Sequence, residues 1–166
     1  MELLGKVGRR PIYYLAIRNN RAWRKSLPNG EWVVFTIANE EDEEMIYPVA
    51  KACIDHKVGA ICSAGELAYR TEQAFDEEIV WRNLDKHDSS IKDEDMPVTT
   101  ASNNFDEEFL LATTEMGAYQ SSPLLVCIDM TKKKVRSYLQ ALIPKINAGW
   151  LPSEEEHLSP KYDAES

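Results

Sequence analysis

The 166-residue chain contains only three cysteines and three histidines. The odd cysteine count, without a paired spacing, excludes a disulfide framework and is typical of a reducing compartment. No apolar run is long enough to span a bilayer, and the first residues lack the charged lead and apolar stretch of a signal peptide. We therefore expect a cytoplasmic protein that does not contact a membrane.

Motifs that fix a reaction are also missing. With seven glycines, the chain has neither a Gly-x-Gly-x-x-Gly loop nor a Walker loop. Cys53 and His56 share a helix face, but no second pair completes a metal site. The acidic runs at 76–78 and 106–108 are explained more simply by solvated helix faces than by a bound cation. We predict no metal and no cofactor.

The net charge of −9 is distributed unevenly along the chain. Residues 1–31 hold seven basic and two acidic side chains, whereas residues 40–115 hold twenty acidic and six basic ones. Nucleic-acid binding needs clustered Lys and Arg, so the excess of acidic residues over 40–115 argues against it. Electrostatic steering toward a basic protein is the interaction that this charge favours, although a merely solvated surface has the same composition.

Apolar stretches alternate with helical patterns from residue 32 onward. Strands are predicted near 11–18, 31–38, 57–62, 97–101 and 124–130. A polar loop at 19–30 follows the first strand, and a helix follows each of the others. This order predicts an α/β fold, a three-layer sandwich with a mainly parallel sheet of about five strands. The first strand, which no helix follows, is predicted as an antiparallel edge.

The predicted organisation is a flexible arm at 1–10, a single α/β domain at 11–152 and a disordered acidic tail at 153–166. Within the domain, the pattern over 66–84 is irregular and favours a break in that helix. The last helix is predicted to begin after a cap at Thr131 and to end at Pro144.

Residues 32–143 resemble a pattern found in a small uncharacterised bacterial α/β family, a domain of unknown function. The matching stretches are the joint at 59–65, the helix at 77–84, Pro97-Val98-Thr99-Thr100, the acidic helix start at 106–109, and the strand at 124–128. In that family Trp-His follows the two threonines, and here Ala101-Ser102 stand in their place. The resemblance implies the fold and no activity.

Polar residues follow the predicted strands and would gather at one edge of a parallel sheet, where open α/β sheets bind ligands. Helix capping explains the same residue types at the same places. The candidate catalytic residues are Glu66, Asp129 and Cys62. The candidate ligand-binding residues are Ser63, Thr99, Thr100, Asn103 and Asn104.

Glu66-Leu67-Ala68-Tyr69-Arg70 is similar to the Glu-Leu-Gly-Tyr-Ala signature of nucleoside deoxyribosyltransferases, which implies a glutamate nucleophile. The Asp-Gly elements that precede the signature in that family are missing here. A glutamate in the first turn of a helix also interacts with the helix dipole without any catalytic role. Cys62 lies just before the same helix, and a helix N-terminus stabilises a thiolate and lowers its pKa. A free cysteine is more often a small buried core residue.

Two functional hypotheses remain open. The first is a small acidic cytosolic domain for protein interaction or regulation, without catalysis, whose partner is a basic protein. The alternative is a small enzyme or binding domain that takes a nucleotide- or sugar-like ligand at the carboxyl edge of the sheet, with Glu66 and Asp129 as its acidic groups.

Overall fold

The structure of the protein, a computed structural model, describes residues 1–85, 96–116, 123–132, 135–158 and 160. These residues form a six-stranded sheet with helices on both faces, which confirms the predicted α/β sandwich. The strands are β1 Glu2–Val7, β2 Arg10–Ala16, β3 Val33–Ile37, β4 Ala60–Ala64, β5 Val98–Ala101 and β6 Leu125–Asp129. The helices are α1 Glu43–Asp55, α2 Ala68–Asp85, α3 Phe105–Thr114 and α4 Arg136–Asn147.

The strand order is β1-β2-β6-β3-β4-β5, and all neighbours are parallel except β1 and β2. The expectation of a flexible arm at 1–10 is wrong, because residues 2–7 form β1. The antiparallel edge is therefore β1, and the strand predicted for that place, β2, lies inside the sheet beside β6. A two-residue turn makes this hairpin possible, because Gly8 adopts the positive φ of +56° that such turns require.

Two cores flank the sheet. One lies under α3 and α4 and includes Phe35, Phe105 and Phe109, whose rings meet edge to face. The other lies under α1, α2 and the loop that follows β2, where Trp23 and Trp32 are buried. Burying each large side chain contributes about 1.5–3 kcal/mol, so both faces hold the central strands.

Two helices differ from their predicted extents. Helix α2 is continuous over its 18 residues, so the expected break is wrong. Its buried polar side chains have local partners, since Thr71 donates to the Leu67 carbonyl at 2.8 Å and Glu78 accepts from Arg82 at 2.8 Å. Helix α4 begins at Arg136 and continues past Pro144, because the buried residues on both sides of the proline keep the helix docked.

The expected tail is partly wrong as well. His157 pairs with the start of α3: its amide donates to the Asn103 carbonyl, and its carbonyl accepts from the Phe105 amide, both at 2.9 Å. Residues 153–158 thus contact the carboxyl edge of the sheet, while 159 and 161–166 lie outside the described residues. Among the helices of the described ranges, none combines the length and apolar content that crossing a bilayer requires.

Candidate functional site

Glu66 lies at the joint between β4 and α2. Gly65, with a φ of +98°, turns the chain out of the sheet, and the exposed Glu66 follows. The Glu66 carboxylate accepts a hydrogen bond from the Glu40 amide at 3.0 Å, and the Glu66 amide donates to Asn39 Oδ1 at 3.3 Å. The side chain therefore ties this joint to the turn before α1, which favours a structural role over that of a nucleophile.

Asp129 ends β6 and is 1% exposed. Its Oδ2 accepts from the Tyr14 hydroxyl at 2.5 Å, and its Oδ1 accepts from the amide and hydroxyl of Thr131 at 2.8 and 2.7 Å. Burial raises the pKa of this carboxyl, and the hydrogen bonds oppose that shift. Asp129 faces the α3–α4 side, whereas Glu66 bonds to the turn before α1, so the two carboxylates are not brought together.

Cys62 is fully buried in the core under α3. Burial, together with the nearby Glu108 carboxyl, raises the pKa of its thiol to about 12. A thiol with so high a pKa is almost entirely protonated at neutral pH, and no solvent reaches it. The position is that of a small core residue.

Ser63 and Thr99 were expected to contact a ligand, but both side chains bond within the α1–α2 side. The Thr36 hydroxyl donates to the fully buried Ser63 Oγ at 3.0 Å. Thr99 donates to Asp76 of α2 at 2.7 Å. These bonds join β3 to β4 and β5 to α2.

Thr100 points to the opposite side, where it donates to Glu108 at 2.5 Å. Glu108 is 3% exposed, and burial raises the pKa of its carboxyl despite this hydrogen bond. The pair joins the edge strand β5 to α3, with Glu108 buried and Thr100 half-buried.

The two asparagines position the start of α3 and the chain that follows α4. Asn104 Oδ1 caps α3 by accepting from the Glu107 amide at 3.1 Å, and its Nδ2 donates to the Ser153 carbonyl at 2.8 Å. Asn103 contributes its carbonyl to the backbone pairing with His157. The sequence left two roles open for Asn104, ligand binding and helix capping, and its hydrogen bonds are those of a helix cap.

A buried cluster of Asp106, Tyr138 and His157 lies beside these asparagines. The Tyr138 hydroxyl donates to both Asp106 oxygens at 2.8 and 3.0 Å, and His157 Nε2 lies 3.2 Å from Asp106 Oδ2 without the geometry of a hydrogen bond. The cluster fastens the chain after α4 to the sheet edge. Sequence reasoning missed it because its members lie on three separate segments.

Exposed carboxylates and exposed large apolar side chains lie on the outer surfaces of α1 and α2 and on the turns before them. We name this surface the acidic face. Large apolar and aromatic side chains are exposed there between carboxylates. The apolar members are Tyr47, Tyr69, Val80, Trp81 and Leu84, and the acidic members are Glu40, Glu41, Glu43, Glu44, Asp55, Glu66, Asp76 and Glu77.

A network of side chains holds the acidic face in shape. The Tyr47 hydroxyl on α1 donates to Glu78 on α2 at 2.8 Å, and this bond raises the pKa of the tyrosine. Arg82 bonds to Glu78 at 2.8 Å and to Asp55 at 2.7 Å. The basic side chains of the two helices are thus partly engaged within the face, and Arg70 lies 3.7 Å from Glu43.

The sequence profile of a protein family described as a domain of unknown function (DUF7684) matches residues 12–146. The chain belongs to this family. The predicted resemblance to an uncharacterised family is confirmed, and it covers every strand except β1. No curated protein and no solved structure matches the chain. In the part of the chain that the structure describes, no three Cys, His, Asp or Glu side chains are grouped to hold a metal ion.

Proposed function

We propose that the protein is a cytoplasmic interaction domain that binds a basic partner protein through the acidic face, without catalysis. The observation that carries this proposal is Trp81, which is 67% exposed on α2 with Leu84 at 72% and Val80 at 54%. Isolated exposed apolar residues are ordinary, but this group is contiguous on one helix and lies one turn after the exposed carboxylates of Asp76 and Glu77. Tryptophan and tyrosine are the residues that most often dominate the energy of protein interfaces.

The charge of the face indicates the chemistry of the partner. Residues 40–85 hold twelve acidic and four basic side chains, and Arg70 and Arg82 already pair with acidic neighbours. A surface whose charge is mostly of one sign raises the association rate of an oppositely charged partner and repels partners of like charge. Lysine- or arginine-rich proteins are therefore the class that this face favours.

The bonds of the predicted catalytic residues support binding over the alternative of a small enzyme. Glu66 is engaged by a backbone amide, Asp129 by Tyr14 and Thr131, and Cys62 is enclosed. A general acid, base or nucleophile must reach the reacting atoms of a substrate. Asp129 and Cys62 are enclosed, and the exposed Glu66 carboxylate already accepts a hydrogen bond from the Glu40 amide.

Affinity capture from the source cells tests the proposal when it compares matched variants. Trp81→Ala should reduce recovery of a basic partner by about thirtyfold or more, as a truncated interface hot spot costs about 2 kcal/mol or more. Leu151→Ala is the control, because Leu151 is 74% exposed and lies outside the acidic face. Recovery should also fall between about 0.15 M and about 1 M salt, since the Debye length drops from about 8 to about 3 Å.

Two results would contradict the proposal. One is a partner that Trp81→Ala captures as well as the wild type does. The other is recovery that does not change with salt, which would remove the role assigned to the carboxylates.

A further inference from the structure

The loop that follows β2 forms an open cleft of about 670 Å³ together with the first turns of α1. Arg18, Arg21 and Arg24 line it, with Asn20 from the same loop and Glu44 and Met45 from α1. We propose that this cleft binds a small phosphorylated molecule, such as a sugar phosphate. The cleft adjoins the proposed protein interface at Glu44, but its test uses different residues.

Arg18 is held at the base of the cleft by two partners. Its Nη2 pairs with Asp42, which is fully buried, and its Nε donates to the Met130 carbonyl at 3.3 Å. The remaining nitrogen, Nη1, makes no hydrogen bond with any described residue. The guanidinium is therefore fixed in place while part of its donor capacity remains available.

Arg21 and Arg24 supply two further cations. The Arg24 guanidinium lies 4.7 Å from the ring centre of Trp23, a buried residue that limits the arginine's freedom. Within the described ranges neither arginine has an acidic partner, in contrast to Arg70, Arg82 and Arg136 elsewhere in the chain. Arginines without carboxylate partners on one loop are suited to an anion that arrives from outside.

The loop is ordered by its own hydrogen bonds. The backbone amide of Asn20 donates to the Ile17 carbonyl at 3.1 Å, and the side-chain Oδ1 of Asn20 accepts from the Ala22 amide at 3.1 Å. The Trp23 amide donates to the Asn20 carbonyl at 3.2 Å. Because the loop's own hydrogen bonds hold these turns, little conformational entropy is lost when an anion binds.

The lining favours a phosphate ester over a simple carboxylate. The guanidinium groups of Arg21 and Arg24, together with Nη1 of Arg18, present more donors than one carboxylate accepts, whereas a phosphate offers three strong acceptor oxygens and close to two negative charges. Glu44 also lines the cleft and offers carboxylate oxygens as acceptors for a ligand hydroxyl group, and Ile17 and Met45 are among the lining residues. The volume lies within the range of small-molecule sites.

The position of the cleft agrees with the topology of the sheet. It lies at the carboxyl end of β2, whose following loop covers the α1–α2 side, while the neighbouring β6 leads to α4 on the other side. Ligands of open α/β sheets bind where the connections diverge in this way. The carboxyl edge was the predicted location, but the residues at the end of β2 were not among the candidates.

Titration with ribose 5-phosphate, followed by calorimetry and by amide chemical shifts, tests this proposal. Saturable binding should shift the signals of Asn20, Arg21 and the Trp23 indole, and ribose alone should not bind. Arg21→Gln and Arg24→Gln should each weaken binding by about tenfold, the value of a charge-assisted hydrogen bond near 1.4 kcal/mol. Both side chains are exposed, so the variants should fold like the wild type.

Arg9→Gln is the matched control, since it removes one exposed positive charge outside the cleft. An equal loss of affinity in Arg9→Gln would show diffuse attraction and overturn the proposal, as would the absence of saturable binding. Equal affinity for malonate would overturn the preference for phosphate, and equal affinity for inorganic phosphate would overturn the role of the ligand's sugar. Trp81→Ala should leave this binding unchanged, so the two proposals fail separately.

Discussion

Replacing Gly65 by alanine should destabilise the joint between β4 and α2 strongly. Gly65 has a φ of +98°, and a Cβ added there would lie 2.3 Å from the Ala38 carbonyl oxygen and 3.0 Å from its carbon. Real Cβ atoms essentially never approach so closely, and the obstacle is backbone that cannot rotate away. The end of β3 must therefore move away from the joint.

The magnitude follows from what this movement breaks. The Ala38 carbonyl accepts from the Leu67 amide at 3.0 Å, and the Ala38 amide donates to the Ala64 carbonyl at 3.2 Å. Each lost hydrogen bond costs about 1 kcal/mol, and the positive φ costs an L-residue about 1–2 kcal/mol. We expect Gly65→Ala to lower the free energy of unfolding by about 3–4 kcal/mol, a large part of a typical domain's stability.

Urea unfolding followed by tryptophan fluorescence measures this loss. Gly149→Ala is the control, because Gly149 also has a positive φ, +86°, but a Cβ there would meet nothing within 4 Å. Gly149→Ala should lower the free energy of unfolding only by the cost of a positive φ in an L-residue, about 1–2 kcal/mol. If Gly65→Ala destabilised the protein no more than Gly149→Ala does, the close approach to Ala38 would be refuted as the reason for the glycine.

Three further predictions concern a thiol, a buried carboxyl and a helix cap. Cys62 should resist thiol reagents in the native protein at neutral pH, because it is enclosed and its pKa is raised to about 12; rapid native-state labelling would contradict this. Burial raises the folded-state pKa of Glu108 above 4.5, so its stabilising contribution is complete below that pH and is lost as the pH rises through the folded pKa. Glu108→Gln should therefore gain stability over the wild type with rising pH, and a difference in urea midpoint that did not vary with pH would argue against it. Asn104→Ala should lower the unfolding free energy by about 2 kcal/mol through loss of the α3 cap and the bond to Ser153, whereas Asn103→Ala, whose side chain has no described hydrogen bond, should cost much less; equal losses in thermal unfolding would count against this.

The central strands were predictable because their amino-acid composition indicates that they are buried. Residues of β3, β4 and β6 are all buried, and each strand is a short apolar run that only a doubly covered parallel sheet accommodates. Helix capping was also a stated alternative for the polar residues that follow the strands, Asn104 among them, since these residue types are common at helix starts. Such signals involve residues within a few positions of one another, and local physics is sufficient to interpret them.

The errors share a physical cause. β1 contains Glu2, Lys6 and Gly5 and has no strong strand pattern, and it forms because β2 offers an edge and α4 covers Leu4. Helix α2 remains unbroken because its polar side chains have partners on α1, Tyr47 and Asp55, in addition to those within the helix. In both cases distant contacts outweigh a weak local preference.

By itself the sequence determined the fold class, the parallel central strands and the acidic balance, since these depend on periodicity and composition. The family resemblance depended on particular short stretches of residues. Only the tertiary structure decided which polar side chains remain available to a partner. Tyr14 and Asp129 are 115 positions apart and meet at 2.5 Å, which engages one predicted catalytic residue, while Arg21 and Arg24 remain without acidic partners in the described part of the chain. Hydrogen bonds and ion pairs between remote segments form only when the chain folds, and local sequence patterns do not encode their geometry.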